Sequence, residues 1–168
     1  MNRQEILDEI AVLKERLNKL EKMYDSLTPP NKRWRAEGGE CYCYIGTDGM
    51  IYWNTEGKWD TDSIRYKFGN YFKTGEEAKF EIERLKVIAE LREWATPAKT
   101  FDWDVCYDIK YMIILESNEV KVDYFTTFQS SDLYFKTREQ AENAIEAVGR
   151  ERLIKYYFRR GENNANSD

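Results

Sequence analysis

The 168-residue sequence contains no histidine. This excludes Ser-His-Asp and Cys-His triads, histidine-bearing zinc sites and the commonest general base at neutral pH. Proline occurs three times and glycine nine times, too rarely for a fibrous or low-complexity chain. Cysteine is scarce and odd in number: Cys41, Cys43 and Cys106, with no Cys-x-x-Cys pair. The three read as free thiols. A three-thiolate metal site is the alternative, but Cys41 and Cys43 alternate inside an apparent strand, where cysteine packs as a small hydrophobe. Cys41 is the candidate if one thiol is reactive. No metal and no cofactor are expected. No run of about 18 apolar residues exists to span a membrane. Met1-Asn2-Arg3-Gln4-Glu5 lacks the apolar stretch of a secretory signal. A cytoplasmic protein without membrane contact is expected. Phosphate-binding loops, Gly-x-Gly-x-x-Gly, metal-carboxylate motifs and nucleophile elbows are all missing, so no enzyme is expected.

What is present is a globular composition. Hydrophobic residues make up 42% and aromatics 15%, too many for a disordered chain. Charge is nearly balanced, 26 basic against 31 acidic residues.

Residues 3–27 hold no glycine or proline. Ile6, Ile10, Leu13, Leu17, Leu20, Tyr24 and Leu27 follow a 4-3 spacing without error, a heptad seam. Pro29-Pro30 ends the helix. An oligomerising coiled coil is expected over residues 1–30, and with it a homodimer. The competing reading is an amphipathic helix lying on its own domain, which the off-seam Leu7 and Val12 favour. A basic zipper is excluded, since residues 1–30 hold five basic and six acidic residues.

The rest of the chain repeats itself. Asn70-Tyr71-Phe72-Lys73-Thr74-Gly75-Glu76-Glu77-Ala78 recurs 63 residues later as Leu133-Tyr134-Phe135-Lys136-Thr137-Arg138-Glu139-Gln140-Ala141. Ile82 and Ile145, Leu91 and Ile154, and upstream Cys43-Tyr44 and Cys106-Tyr107 share that offset. Each repeat reads as strands, then a helix. In the first, Glu40 to Ile45 alternates, Gly46-Thr47-Asp48-Gly49 turns, and Met50 to Trp53 returns. Ile64, Tyr66 and Phe68 alternate as a third strand, with Tyr71-Phe72 a last short one. Thr74 and Glu77 form a capping box, echoed by Thr137 and Gln140. Helix 75–95 has two apolar stripes, Ala78-Ile82-Leu85-Ala89 and Phe80-Val87-Leu91-Trp94, and is expected between two layers. In the second repeat, strands 105–116 and 119–128 turn at Ser117-Asn118, and a helix from Arg138 is interrupted at Gly149. The fold class is therefore α+β: a coiled-coil-like helix (1–30), two tandem antiparallel-sheet-plus-helix repeats (31–97 and 98–160), and a polar tail expected to be disordered (161–168).

Gly39-Glu40-Cys41-Tyr42-Cys43-Tyr44-Ile45, the stretch Gly69 to Ala78, and Ile154-Lys155-Tyr156-Tyr157-Phe158 resemble a widespread group of uncharacterised proteins from phages and prophages of Gram-positive bacteria. The resemblance spans roughly residues 32–160. It implies the cytoplasm of an infected bacterial host. Within that setting it implies a non-catalytic inhibitor of host defence, anti-CRISPR-like or a binder of a defence signal molecule. A weaker likeness, three strands and then Phe-x-Thr-x-Glu-Glu-Ala, is similar to the arm-site DNA-binding domain of tyrosine-type integrases.

Nucleic-acid binding needs positive charge to displace counterions. Residues 31–95 carry 11 basic and 12 acidic residues, and residues 96–160 carry 10 and 11. The local exceptions are Lys155 with Arg159-Arg160, and Lys32-Arg33-Trp34-Arg35, cations beside an indole able to stack on a base. Aromatics crowd the first repeat, and exposed Tyr and Trp are typical interface anchors. The expected binding surface is Trp34, Arg35, Tyr42, Tyr44, Tyr52, Trp53 and Trp59, facing a host protein of a defence or regulatory complex; the competing reading covers both sheet faces, one by the repeat's helix and one by the other repeat. A nucleic-acid or nucleotide-binding regulator, and a phage structural or assembly accessory, are the alternatives.

Overall fold

The computed structural model describes residues 3–27, 33–104, 108–126 and 133–159. Cys106, Tyr107 and the tail 161–168 lie outside the described residues. The chain divides into two compact units, Met1–Arg35 and Ala36–Asp168.

The first unit is built on one helix, α1 (Arg3–Leu27), as the unbroken heptad predicts. Its seam residues Ile6, Ile10, Leu13, Leu17 and Leu20 are all exposed.

The second unit is α+β and holds both repeats. β1 (Cys41–Ile45) and β2 (Ile51–Thr55) form one antiparallel hairpin, and β3 (Lys110–Glu116) and β4 (Glu119–Phe125) a second. Both turns follow from local chemistry. Gly49 has φ 77°, and the Asp48 carboxylate accepts from Met50 N at 3.0 Å. Ser117 and Asn118 both adopt positive φ, 51° and 64°, the two-residue turn whose twist matches its strands.

Residues 64–68 are not a strand. They belong to α2 (Asp60–Phe68). The alternation of Ile64, Tyr66 and Phe68 is real, but two stronger signals override it. The Asp62 carboxylate reaches back to the N–H of Trp59 at 3.1 Å, which starts a helix. Gly69, at φ 79°, ends it, with Gly69 N and Asn70 N donating to the carbonyls of Tyr66 and Arg65.

α3 (Gly75–Trp94) opens with the expected box: Glu77 N donates to Thr74 Oγ1 at 3.2 Å, and Thr74 N to Glu77 Oε2 at 3.2 Å. α4 (Arg138–Val148) keeps half of it. Gln140 N donates to Thr137 Oγ1 at 3.1 Å, while the Gln140 side chain accepts from Lys136 N and Thr96 Oγ1. Gly149, at φ 92°, breaks α4 from α5 (Arg150–Arg152), which runs into a π-helical turn, Leu153–Tyr157.

α3 is not sandwiched along its length. It spends its apolar residues in sequence. Ala78 is buried near its start, where the helix meets β1 and β2. Val87 and Leu91 enter the main core with Ile113, Val120, Phe135, Ile145, Val148 and Leu153 of the second repeat. Leu85 and Ala89 of the first stripe stay exposed. A bidentate pair ties the repeats together outside the core, Arg152 to Glu90 at 2.7 and 2.8 Å.

The 63-residue offset holds for the helix starts and fails for the strands. Cys43 bridges Phe72, and Tyr111 bridges Phe135. Phe72 and Phe135 keep the offset; Cys43 and Tyr111 are 68 apart. The structural counterpart of Cys43 is therefore Tyr111, not Cys106. From Trp53, opposite Cys43, to Phe72 is 19 positions; from Tyr124, opposite Tyr111, to Phe135 is 11. The longer connection accommodates α2.

Candidate interaction surface

In the first repeat's sheet Tyr42 and Cys43 of β1 are buried on opposite faces, and β2 leaves one edge open. Cys43 N donates to Phe72 O, and Phe72 N to Cys43 O, both at 2.9 Å. Cys43 therefore points its backbone away from β2, and the bonded pairs of the hairpin are Tyr42–Asn54 and Tyr44–Tyr52. The same parity continues at both ends, in Glu56 N to Glu40 O and Gly46 N to Met50 O. The Asn70 amide completes the outer edge of β1, accepting from Ile45 N and donating to Ile45 O, each at 2.7 Å. On β2 the outward N–H and C=O groups belong to Ile51, Trp53 and Thr55. These have no hydrogen-bond partner among the described residues.

One face carries Cys43, whose thiol donates to Thr74 O at 3.1 Å below the start of α3. Burial pushes this thiol up, and Glu77 and Glu76 add to it, so Cys43 is an inert packing residue. Cys41 is exposed. Among the described residues, no three Cys, Asp or Glu side chains group to hold a metal ion.

The other face carries Tyr42, and here the expected binding surface needs correction. Tyr42 is fully buried. α2 covers it, and the ring stacks on Tyr71 with centroids 3.9 Å apart. Its hydroxyl donates to Asp62 Oδ1 at 2.6 Å and accepts from Asn54 Nδ2 at 3.1 Å and the Arg65 guanidinium at 2.8 Å. Asp62 is buried too. It accepts from Tyr42 and Asn54 on one oxygen, and from the N–H groups of Gly57 (3.0 Å) and Trp59 (3.1 Å) on the other. Burial alone pushes its carboxyl up. The hydrogen bonds from Tyr42, Gly57 and Trp59, with the Arg65 charge, outweigh that and hold it below the usual range. Every acceptor direction of Asp62 is used within the fold. Beside it, the Tyr71 hydroxyl donates to buried Glu56 at 2.8 Å and accepts from Ala36 N at 3.2 Å. Tyr44 is half-buried under the Arg65 guanidinium, 3.6 Å above its ring.

The other expected surface residues are open. Trp53 is 60% exposed and Trp59 71%; Tyr52 is exposed, with its hydroxyl on Asp48 at 2.6 Å. Trp59 is nevertheless seated. Its indole lies so close over Gly57 that a Cβ there would clash with Nε1. Trp34 is exposed and Arg35 half-buried at the end of the first unit. Ile64 and Phe68, one turn apart on α2, are exposed as well, Phe68 to 85%. Assigning them to a strand concealed this pair; the Asp62–Gly69 helix signals would have revealed it. Under the open edge of β2, between Trp53 and the first turn of α3, lies an open groove of about 450 Å³ lined by Ile51, Trp53, Lys73, Gly75 and Lys79.

No protein-family model matches the chain, and no curated protein or solved structure matches it.

The second repeat treats the same edge differently. Two outward carbonyls of β4, those of Val120 and Val122, are occupied from within the chain. Arg150 donates to Val120 O at 2.7 Å, and Arg138 to Val122 O at 3.3 Å. At the position equivalent to Tyr42 stands Lys110, fully buried. Its ammonium donates to the carbonyls of Asp108 (2.7 Å) and Asp102 (3.0 Å), 5.0 Å from the Trp103 ring centroid.

Proposed function

We propose that this chain is a non-catalytic binding protein whose first repeat takes an extended segment of a protein partner as an added strand along β2. The observation that carries the reading is the open backbone edge at Ile51, Trp53 and Thr55, beside exposed indoles, where the second repeat covers two of the corresponding carbonyls with arginines. Added strands draw affinity from main-chain hydrogen bonds and specificity from alternate side chains entering a groove. The groove below Trp53 supplies the second element. Trp53, Trp59 and Tyr52 are large, rigid anchors of the kind that dominate interfaces. The setting rests on the resemblance to phage and prophage proteins: the cytoplasm of an infected bacterium, and a component of host defence as the partner blocked.

The test is a tagged pull-down from nuclease-treated host lysate with three variants. Thr55→Pro removes one outward N–H while leaving the β1–β2 ladder intact. Trp53→Ala removes the anchor. Tyr124→Pro makes the corresponding backbone change on the edge of the second repeat. The expected result is one stoichiometric protein partner, lost with the first two and kept with the third. Equal retention by all three would overturn the edge reading. A ligand recovered from untreated lysate and absent after nuclease would favour the nucleic-acid reading at Lys32 to Arg35, and co-purification with virions the assembly reading.

A further inference from the structure

In α1 the 4-3 spacing places Ile10, Leu17 and Tyr24 at the a positions and Ile6, Leu13, Leu20 and Leu27 at the d positions of a heptad. Ile6, Ile10, Leu13, Leu17 and Leu20 are between 41% and 59% exposed, a continuous uncovered seam. The flanking charges select what fits it. Glu9 and Arg16 stand at g, Lys14 and Glu21 at e, all exposed.

We infer that α1 pairs with α1 of a second copy as a parallel, in-register two-stranded coiled coil. In that arrangement each g residue meets the e residue five positions further along the second chain. Glu9 then faces Lys14 and Arg16 faces Glu21, attractive pairs made twice each by symmetry. The antiparallel arrangement that overlaps the same seam puts Ile10 against Leu20 and Leu13 against Leu17. It brings Lys14 against Lys14 and Arg16 against Arg16 across the two-fold axis, two repulsive pairs. Leucine at three d positions with Ile10 at a suits two strands. The surface is therefore complementary to itself in one orientation and opposed to itself in the other.

Light scattering on the full chain is the first reading, with a mass near twice 20.1 kDa expected. A monomer throughout the micromolar range overturns the proposal, as does a trimer. Orientation is read by mild oxidation of Ile6→Cys in a Cys41→Ser background, beside the Cys41→Ser parent. A parallel pair yields a disulfide-linked dimer that the parent lacks. An antiparallel pair separates the two position-6 side chains by about 27 Å and stays uncrosslinked, which overturns the orientation. A charge cycle needs no thiol. Lys14→Glu should weaken dimerisation about tenfold, and adding Glu9→Lys should restore it. Unchanged affinity in the single variant, or no rescue in the double, overturns the g–e pairing.

Discussion

Tyr42 and Lys110 occupy the same place in two versions of one repeat, and the fold buries both completely. In the first repeat the polar atom is a hydroxyl, met by a carboxylate, an amide and a guanidinium that are all side chains. Two of these, Asp62 and Arg65, are delivered by α2, for which the shorter connection of the second repeat has 8 fewer positions. In the second repeat the polar atom is an ammonium, and the groups that receive its hydrogen bonds are the backbone carbonyls of Asp102 and Asp108. Its flanks are aromatic faces, and Tyr134, at the place of Tyr71, packs on Trp103 instead of on the buried polar residue. A duplicated scaffold thus keeps a buried polar position while the means of satisfying it change entirely. A network of side chains is vulnerable at every member. A cation held by carbonyls depends on one.

The sharpest way to break this symmetry is Tyr42→Ala. It removes a stacked ring and leaves Asp62 with fewer donors, and a loss of about 4 kcal/mol in urea unfolding is expected. Tyr44→Ala, at a half-buried ring, should lose less than half of that. Next comes a matched pair. Tyr42→Phe should cost about 2 kcal/mol, because Asp62 loses a donor while it stays buried. Lys110→Met should cost at least as much, about 2–3 kcal/mol, because the carbonyls of Asp102 and Asp108 lose their donor and the Asp108 carboxylate loses an ion pair at 3.8 Å. A loss below about 1 kcal/mol for Lys110→Met would show that water replaces the ammonium at those carbonyls, which the side-chain network around Tyr42 does not allow. Acid titration separates them further. Asp62 and Glu90 are both held below their ordinary pKa, Glu90 chiefly by its hydrogen bonds from Arg152. Each therefore contributes stability that is complete above about pH 5 and is lost as pH falls through its folded-state value. Asp62→Asn should flatten the acid limb of the stability curve; an unchanged limb would remove Asp62 from this role. The smallest effect belongs to the link between repeats. Glu90→Gln should cost about 0.5–1 kcal/mol, since both partners are well exposed to solvent.

What was legible in the sequence was local. The heptad of α1, the turns at Gly46 to Gly49 and Ser117-Asn118, and the caps at Thr74 and Thr137 depend on neighbours within a few residues, and each stands where its chemistry places it. What escaped was tertiary. Ile64, Tyr66 and Phe68 have strand periodicity, but the Asp62 cap and Gly69 decide for a helix. That one misreading also hid the fate of Tyr42. A third strand would have extended the sheet beside it, whereas α2 lies over it. The strand offset of 68 escaped because Cys43-Tyr44 and Cys106-Tyr107 match by residue identity, and only the bridges to Phe72 and Phe135 reveal the true equivalence. Of the expected surface, Trp53, Trp59 and Tyr52 are open, Tyr44 is half-buried and Tyr42 is internal.

The division of α3 between the two repeats has a consequence for how the second unit comes apart. Its first turns are seated under one hairpin and its later turns are part of the core beneath the other. Release of that helix takes Ala78 from the first repeat and Val87 and Leu91 from the core of the second. Residues 36–159 should therefore melt cooperatively, in a single transition, with the amides of Cys43 and Phe135 exchanging through the same global opening. Two sequence repeats amount, thermodynamically, to one indivisible body.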